Sequence, residues 1–405
     1  QNPLLADFAT PFDTPPFHLI KNEHFLEAIK ESISQAKKEI EQIKAEPVST
    51  FENTIEALDR SGKRLGVVSA IFFNLNSAET NDEIQRLARE ISPLLTEYAN
   101  DILLDQELFR KVEEVVHQKP SLSLTPEQAT LLEKTYKSFI RNGAKLNPEE
   151  AQKLRKIDQE LSQLSLKFGE HVLAETNRFV HFVDKEEELD GLPEGIKEAA
   201  AQIAEEKGKP GSWAFTLDYP SYIPVMTYAK NRSLRKTLFM AFNTKASKGD
   251  ELDNQQIIKD ILRLRFERAQ LLGYACHADF VLEERMAKSP TQVMEFLNDL
   301  LEKAKPKAEA EVQEVLAFAK KKDGLVDFKK WDFAYYSEQL KKEKYALDDE
   351  ILRPYFQLER VIDGVFQTAK RLYGLDFIAR RDIPVYHPDV TAYGAASVTV
   401  SPRCT

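Results

Sequence analysis

Apolar residues recur at three- and four-residue steps along most of the chain, the spacing that lines one face of an α-helix. Phe25, Ile29, Ile33, Ala36, Ile40 and Ile43 form one such stripe, which ends near Pro47, where the ring blocks a further turn. Leu154, Ile157, Leu161, Leu164, Phe168 and Val172 form a second, with Glu and Lys on the opposite face. Its start is legible. Asn147 can cap the first amides, Pro148 suits the first helical position because its missing N–H is not needed there, and Glu150 can reach back to complete a capping box. Thr125-Pro126-Glu127-Gln128 and Ser289-Pro290-Thr291-Gln292 repeat that chemistry. These starts fall at irregular intervals before dissimilar sequence, so they mark independent helices and not the period of a solenoid. Further helical pattern runs through Leu234 to Asn243, Ile257 to Leu272, Gln292 to Lys320, Phe333 to Glu343 and Leu358 to Tyr373.

The period changes at Arg178 to Asp184, where Phe179, His181 and Val183 alternate with Val180 and Phe182 in a β-favouring composition. After the breaker Gly191-Leu192-Pro193 and a short helical stretch, Trp213-Ala214-Phe215-Thr216-Leu217 reads as a second strand, ended by Pro220. The expected fold is therefore mainly α, an elongated multi-helix lobe with a small β element near residues 178–218.

Composition narrows the function classes. A chain of 405 residues with 42% hydrophobic and 30% charged residues is long enough to bury a large core. Its 56 Lys+Arg against 66 Asp+Glu give a formal charge of −10, which repels phosphate backbones, so no nucleic acid is expected as a partner. No run approaches the roughly 18 apolar residues of a membrane-spanning helix, so no membrane is expected and the chain reads as soluble. Cys276 and Cys404 lie far apart and make neither a disulfide framework nor a zinc ribbon. The chain opens at Gln1, which leaves both a cytoplasmic and a periplasmic location open.

The seven histidines, His18, His24, His117, His171, His181, His277 and His387, include no pair in the His-Glu-x-x-His spacing of zinc peptidases. His171 and Glu175 share a helical face but lack a nearby third ligand, which favours a surface pair. Asp279 beside His277 and Asp389 beside His387 have the spacing of turn and capping residues. No Gly-flanked Ser elbow, no local Cys signature and no Gly-rich phosphate loop is present, which disfavours nucleophilic and nucleotide chemistry. The cluster Trp331, Phe333, Tyr335 and Tyr336 is more informative, because two adjacent tyrosines on one helix cannot both point at the same core, and one should reach an edge or a cleft.

Several segments together resemble one family, the thimet oligopeptidase-like zinc metallopeptidases, and within it the bacterial peptidyl-dipeptidase and oligopeptidase A group. They are Asn2-Pro3-Leu4-Leu5, Phe51-Glu52-Asn53-Thr54-Ile55, Phe139-Ile140-Arg141-Asn142-Gly143-Ala144 and Gly191-Leu192-Pro193-Glu194. More specific are Leu262-Arg263-Leu264-Arg265 with Leu271-Leu272-Gly273, then Arg285-Met286-Ala287, and Trp331-Asp332-Phe333-Ala334-Tyr335-Tyr336 followed by Arg353-Pro354-Tyr355-Phe356. The resemblance covers about residues 2 to 390. It implies a helical protein of two lobes around a channel for short peptides, with a zinc held by a His-Glu-x-x-His helix and a later glutamate. Nothing in residues 1 to 405 matches those ligands. The expected divisions are then an N-terminal helical lobe over 1–177, a β-containing segment over 178–221, the first helices of the peptidase region over 222–390, and an aberrant tail over 391–405.

The reading that follows is the N-terminal part of a zinc-dependent oligopeptidase or peptidyl-dipeptidase, forming a channel wall, inactive alone, with no cofactor or metal ligand of its own and no catalytic residue. Tyr335 and Tyr336 are its candidate cleft residues. Its expected partners are short peptides, a missing C-terminal catalytic half, and further copies of itself through faces left bare. A non-catalytic helical peptide-binding or interaction protein is the alternative, and a cryptic metal site around His277 and His387 a third.

Overall fold

The computed structural model describes residues 2–397, which fold into two compact units built from separate stretches of chain. Within the described residues the first comprises 2–167, 259–285 and 366–397, the second Phe168–Ile258 and Met286–Val365. The first unit opens with α1 (Glu23–Ala45), α2 (Lys63–Ala78), α3 (Asp82–Leu103), α4 (Gln106–Gln118) and α5 (Pro126–Arg141). The stripe on α1 serves two cores in turn. Phe25 and Ile29 pack with Val68 and Phe72 of α2 and with Leu87 and Ile91 of α3. Ile40 and Ile43, further along the same face, pack with Phe51, Ile55, Leu108, Val112 and Phe139. At about 1.5–3 kcal/mol for each fully buried large side chain, these clusters fix α1 as the spine of the unit.

Two of the three predicted helix starts carry both bonds of the box, and at the third Gln292 N–H donates to Ser289 Oγ at 3.2 Å. Thr125 N–H donates to Gln128 Oε1 at 3.0 Å while Gln128 N–H donates to Thr125 Oγ1 at 3.3 Å. Asn147 and Glu150 exchange the same pair of bonds at the start of α6 (Pro148–Arg178). A further box, not anticipated, opens the turn at Phe51–Glu56, where Thr50 and Asn53 cap each other at 2.8 and 3.1 Å.

In the second unit, β1 (His181–Val183) precedes α7 (Glu194–Glu206), β2 (Trp213–Phe215), α8 (Tyr219–Tyr228) and α9 (Arg232–Asn243). The two strands pair antiparallel, His181 opposite Phe215 and Val183 opposite Trp213, which is the β element that the alternation predicted. Their inner faces meet Leu189, Tyr222, Val225, Leu234 and Leu238 in one buried cluster. Gly191 closes the intervening turn at φ +90°, with the position of an added Cβ only 2.4 Å from the Tyr228 carbonyl oxygen, so this turn admits glycine alone.

Next come α10 (Gln255–Leu271) and α11 (His277–Leu282), then the long α12 (Pro290–Asp323), α13 (Lys330–Tyr345) and α14 (Leu358–Tyr373). Beyond α14 the structure departs from the sequence reading. The strand β3 (Leu375–Arg380) pairs antiparallel with β4 (Ala392–Ser397), Leu375 opposite Ser397 and Arg380 opposite Ala392. The stretch expected to be an aberrant tail thus supplies a strand through residue 397, and its remainder, with Cys404, lies outside the described residues. Ala392-Tyr393-Gly394-Ala395-Ala396-Ser397 carries little β-favouring composition. Its pairing comes instead from tertiary context: Phe366 stacks on Phe377 of β3 at 4.5 Å and meets Tyr393 of β4 edge-on at 4.8 Å.

Candidate functional site

Tyr335 and Tyr336 stand on α13, and the sequence around them builds a buried ionic knot in the second unit. Asp332, with no exposed surface, accepts from Arg232 Nε at 2.9 Å and Nη2 at 2.7 Å, from Arg235 Nη2 at 2.9 Å, and from the Lys329 backbone N–H at 2.9 Å. Arg235, 1% exposed, also donates to the carbonyls of Trp331, Ala229 and Lys230. Burial by itself would raise the Asp332 pKa, but the Arg232 fork, the Lys329 amide and Arg235 outweigh it and hold the carboxyl below its ordinary value. The two arginines lie one turn apart on α9, so both reach the start of α13 from one helical face.

The adjacent tyrosines turn to different neighbours, as their positions on a helix require, and both are nearly covered. The Arg235 guanidinium sits 4.3 Å from the Tyr335 ring centroid, a cation–π contact in a desolvated place. Tyr336 donates its hydroxyl to Asp323 Oδ2 at 2.9 Å, packs against Phe328, and meets Tyr335 edge-on at 5.0 Å. Burial, then the Asp323 bond, push the Tyr336 phenol up; burial, then the Asp323 charge, do the same to Tyr335. Both are neutral donors at ordinary pH. The Tyr335 hydroxyl has no hydrogen-bond partner among the described residues. The more exposed member of the aromatic cluster is Phe333.

In the first unit, the segment Phe139 to Ala144 forms a second clasp. Arg141 donates to the Phe280 carbonyl at 2.7 Å, pairs with Glu283, and lies 4.3 Å from the Phe280 ring. Arg268 of α10 donates to Asp158 at 2.7 Å and to Asn142 Oδ1 at 3.1 Å, 5.1 Å from the same ring. Phe280 of α11 is thus gripped by two guanidinium groups that themselves are paired. Gly143, at φ +99°, leaves no space for a Cβ against Leu154 and Leu146. Nearby, hydrogen bonds from Lys134 and then Lys137 pull the Glu284 carboxyl down to about 2. These contacts give the resembling segments a fold-building role: they hold Lys259–Arg285 to the N-terminal helices of their own unit.

Glu175 is engaged by Arg178 at 2.8 Å and Lys248 at 2.5 Å, and His171 Nδ1 is buried with no partner among the described residues. His277 packs on Phe280, while Asp279 accepts from the Cys276 thiol at 3.1 Å. His387 Nδ1 accepts from the Asp389 N–H at 3.2 Å, which is a turn bond. Among the described residues no three His, Cys, Asp or Glu side chains come together in a way that could hold a metal ion, so the cryptic site around His277 and His387 does not assemble there and this donor set does not fit zinc. Nor is any helix among them long and apolar enough to cross a membrane. The knot at Asp332 was missed in the sequence because its partners lie about 100 residues away, and no local spacing reports such a pair.

Residues 225–401 match Peptidase family M3, a stretch that contains α9 to β4 and both halves of the Asp332 knot. Among relatives, dipeptidyl carboxypeptidase of Escherichia coli is 36% identical over 395 residues, covering 97% of this chain and 58% of the relative. Oligopeptidase A of Haemophilus influenzae is 36% identical over 380 residues, covering 93% and 56%. The thimet-like oligopeptidase of Dictyostelium discoideum is 27% identical over 374 residues, covering 89% and 54%. The chain therefore spans a little over half the length of the relatives it matches.

Proposed function

We propose that this chain is the substrate-holding part of a metal-dependent oligopeptidase or peptidyl-dipeptidase, and that it forms part of the wall enclosing short peptides. The observation that carries this reading is the match to dipeptidyl carboxypeptidase and oligopeptidase A along nearly all of this chain but only about three fifths of theirs. In such an enzyme the metal supplies the activation of water. The donors described in this chain do not assemble a metal site, so no hydrolytic step is assigned to them. In this reading the neutral Tyr335 hydroxyl, uncommitted within the described residues, is the group available to donate to a peptide carbonyl, and Tyr336, tied to Asp323, sets its orientation through the edge-on ring contact. Isolated chains associate weakly through apolar faces that have no cover.

The test is a titration of the purified 405-residue chain with a short fluorogenic peptide, with and without added zinc. Expected is saturable binding without cleavage, weakened severalfold by Tyr335→Phe and restored in no degree by zinc. Cleavage that a chelator abolishes would overturn the assignment of chemistry elsewhere. Absence of binding would remove the peptide-holding role.

A further inference from the structure

Tyr228 closes α8, and its ring is one wall of a charged corner in the second unit. The Lys342 ammonium lies 5.3 Å from that ring's centroid and pairs with Asp348 at 2.9 Å. Lys341 bridges Glu338 and Asp349, each at 2.9 Å. The chain reaches the corner through Ala346, whose φ of +50° is a left-handed conformation that alanine rarely adopts, and Asp348 then caps the short helix Asp349–Leu352 by accepting from the Glu350 N–H at 3.0 Å. Burial, then the charges of Glu338, Asp349, Glu350 and Asp348, push the Tyr228 phenol up, so these carboxylates converge on one hydroxyl. That hydroxyl makes no hydrogen bond among the described residues.

Two features separate this corner from an ordinary surface ion-pair cluster. Glu338 is only 7% exposed, and its Oε1 is buried without a hydrogen-bond partner while Lys341 holds Oε2. A buried carboxylate oxygen left unpaired is costly, so it marks a place where a donor is wanted. Lys342 and Asp348, by contrast, are each 32% exposed, so the pair beside the ring can exchange with groups from solution. An aromatic face flanked by carboxylates is the chemistry that recognises an ammonium ion. Here the chain's own lysine occupies it.

Resting on the peptide-holding role proposed above, we propose that the corner formed by Tyr228, Glu338 and Asp348 is a seat for the ammonium group of a peptide, its amino terminus or a lysine side chain, and that Lys342 stands in for this group until a peptide displaces it. Glu338 follows Tyr335 by three residues on one face of α13, so the seat and the free tyrosine hydroxyl are neighbours on the same helix. The exchange makes and breaks ion pairs only. Lys342 gives up Asp348 and the ring and passes into water, and the incoming ammonium, with three donors, takes both and offers a hydrogen to Glu338 Oε1. A peptide whose amines are all blocked has nothing to place there.

The experiment titrates the purified 405-residue chain and its Lys342→Gln variant with three short peptides of equal length: one with a free amino terminus and no lysine, one acetylated with a single lysine, and one acetylated without lysine. Expected is binding to Lys342→Gln about fivefold tighter for an amine-bearing peptide, the size of a cation–π contact plus an exposed ion pair. The acetylated lysine-free peptide should gain nothing, and Lys342→Gln/Glu338→Gln should lose the gain. Which amine-bearing peptide gains identifies the source of the ammonium. Where peptides bind, an equal gain for all three, or no gain for either amine, overturns the seat. A second measurement uses n-butylammonium chloride against sodium chloride at equal concentration. The amine should slow amide exchange over residues 346–352 of Lys342→Gln, and no difference between the salts overturns the seat whatever the peptides do. Slowed exchange with no peptide bound keeps the seat and removes the peptide-holding role.

Discussion

Replacing Asp332 by alanine would strand Arg235, a guanidinium with 1% exposure whose only carboxylate partner among the described residues is Asp332. Removing one member of a buried ion pair typically costs about 3–5 kcal/mol, because the other charge stays desolvated and unpaired. Denaturant unfolding of the Asp332→Ala variant should show a loss of that size, and Arg232→Ala, whose side chain is partly solvated, a smaller one. A loss under about 1 kcal/mol for Asp332→Ala would mean the knot is not formed. The pH dependence follows with its sign. The folded-state pKa of Asp332 lies below its unfolded value, so its contribution is complete above roughly pH 4 and drains away as pH falls through the folded value. In Asp332→Asn the acid limb of the stability curve should flatten. None of this was legible at the residue level, since Asp332 appears in the sequence only as one more acid in an aromatic helix.

At the scale of the element, local chemistry decided what the sequence disclosed. The start of α5 is written in four adjacent residues, and Thr125 and Gln128 make both bonds of the box. Thr125→Ala should therefore cost about 1 kcal/mol, read as a lowered unfolding midpoint, and Thr125→Ser should recover most of it. Equal loss in both would point to the threonine methyl and not to the cap. The β1–β2 pair was equally readable, because Phe179 to Val183 alternates and Trp213 to Phe215 is aromatic. The β3–β4 pair was not. A strand of Ala, Gly and Ser beside a single Tyr has no pattern of its own and is specified by Phe366 and Phe377 from elsewhere in the chain. The aromatic pair on α13 lies between these cases: the helix was readable and the divergence of Tyr335 and Tyr336 followed from its geometry, but their coverage by Arg235, Phe328 and Asp323 did not.

For the whole molecule, the chain passes from one compact unit to the other four times, a division that no linker composition announces. Each unit nevertheless has its own buried clusters, and each has a site where one substitution should act locally. Gly143→Ala forces a Cβ into φ +99° and against Leu154, 2.7 Å away, inside the first unit. Strain of that kind costs of the order of 1–3 kcal/mol. Asp332→Ala acts inside the second. If the units are separate cooperative bodies, unfolding departs from two-state behaviour, and the two variants shift different transitions. Amide exchange measured by mass spectrometry should then rise over α4 and α5 for Gly143→Ala with α9 unchanged, and over α9 and the start of α13 for Asp332→Ala with α4 unchanged. Equal deprotection across both units in each variant would mean that the four crossings bind the two bodies into one cooperative fold, and the local energetics argued for the Asp332 knot and the Arg141 clasp would have to be read as properties of the entire chain.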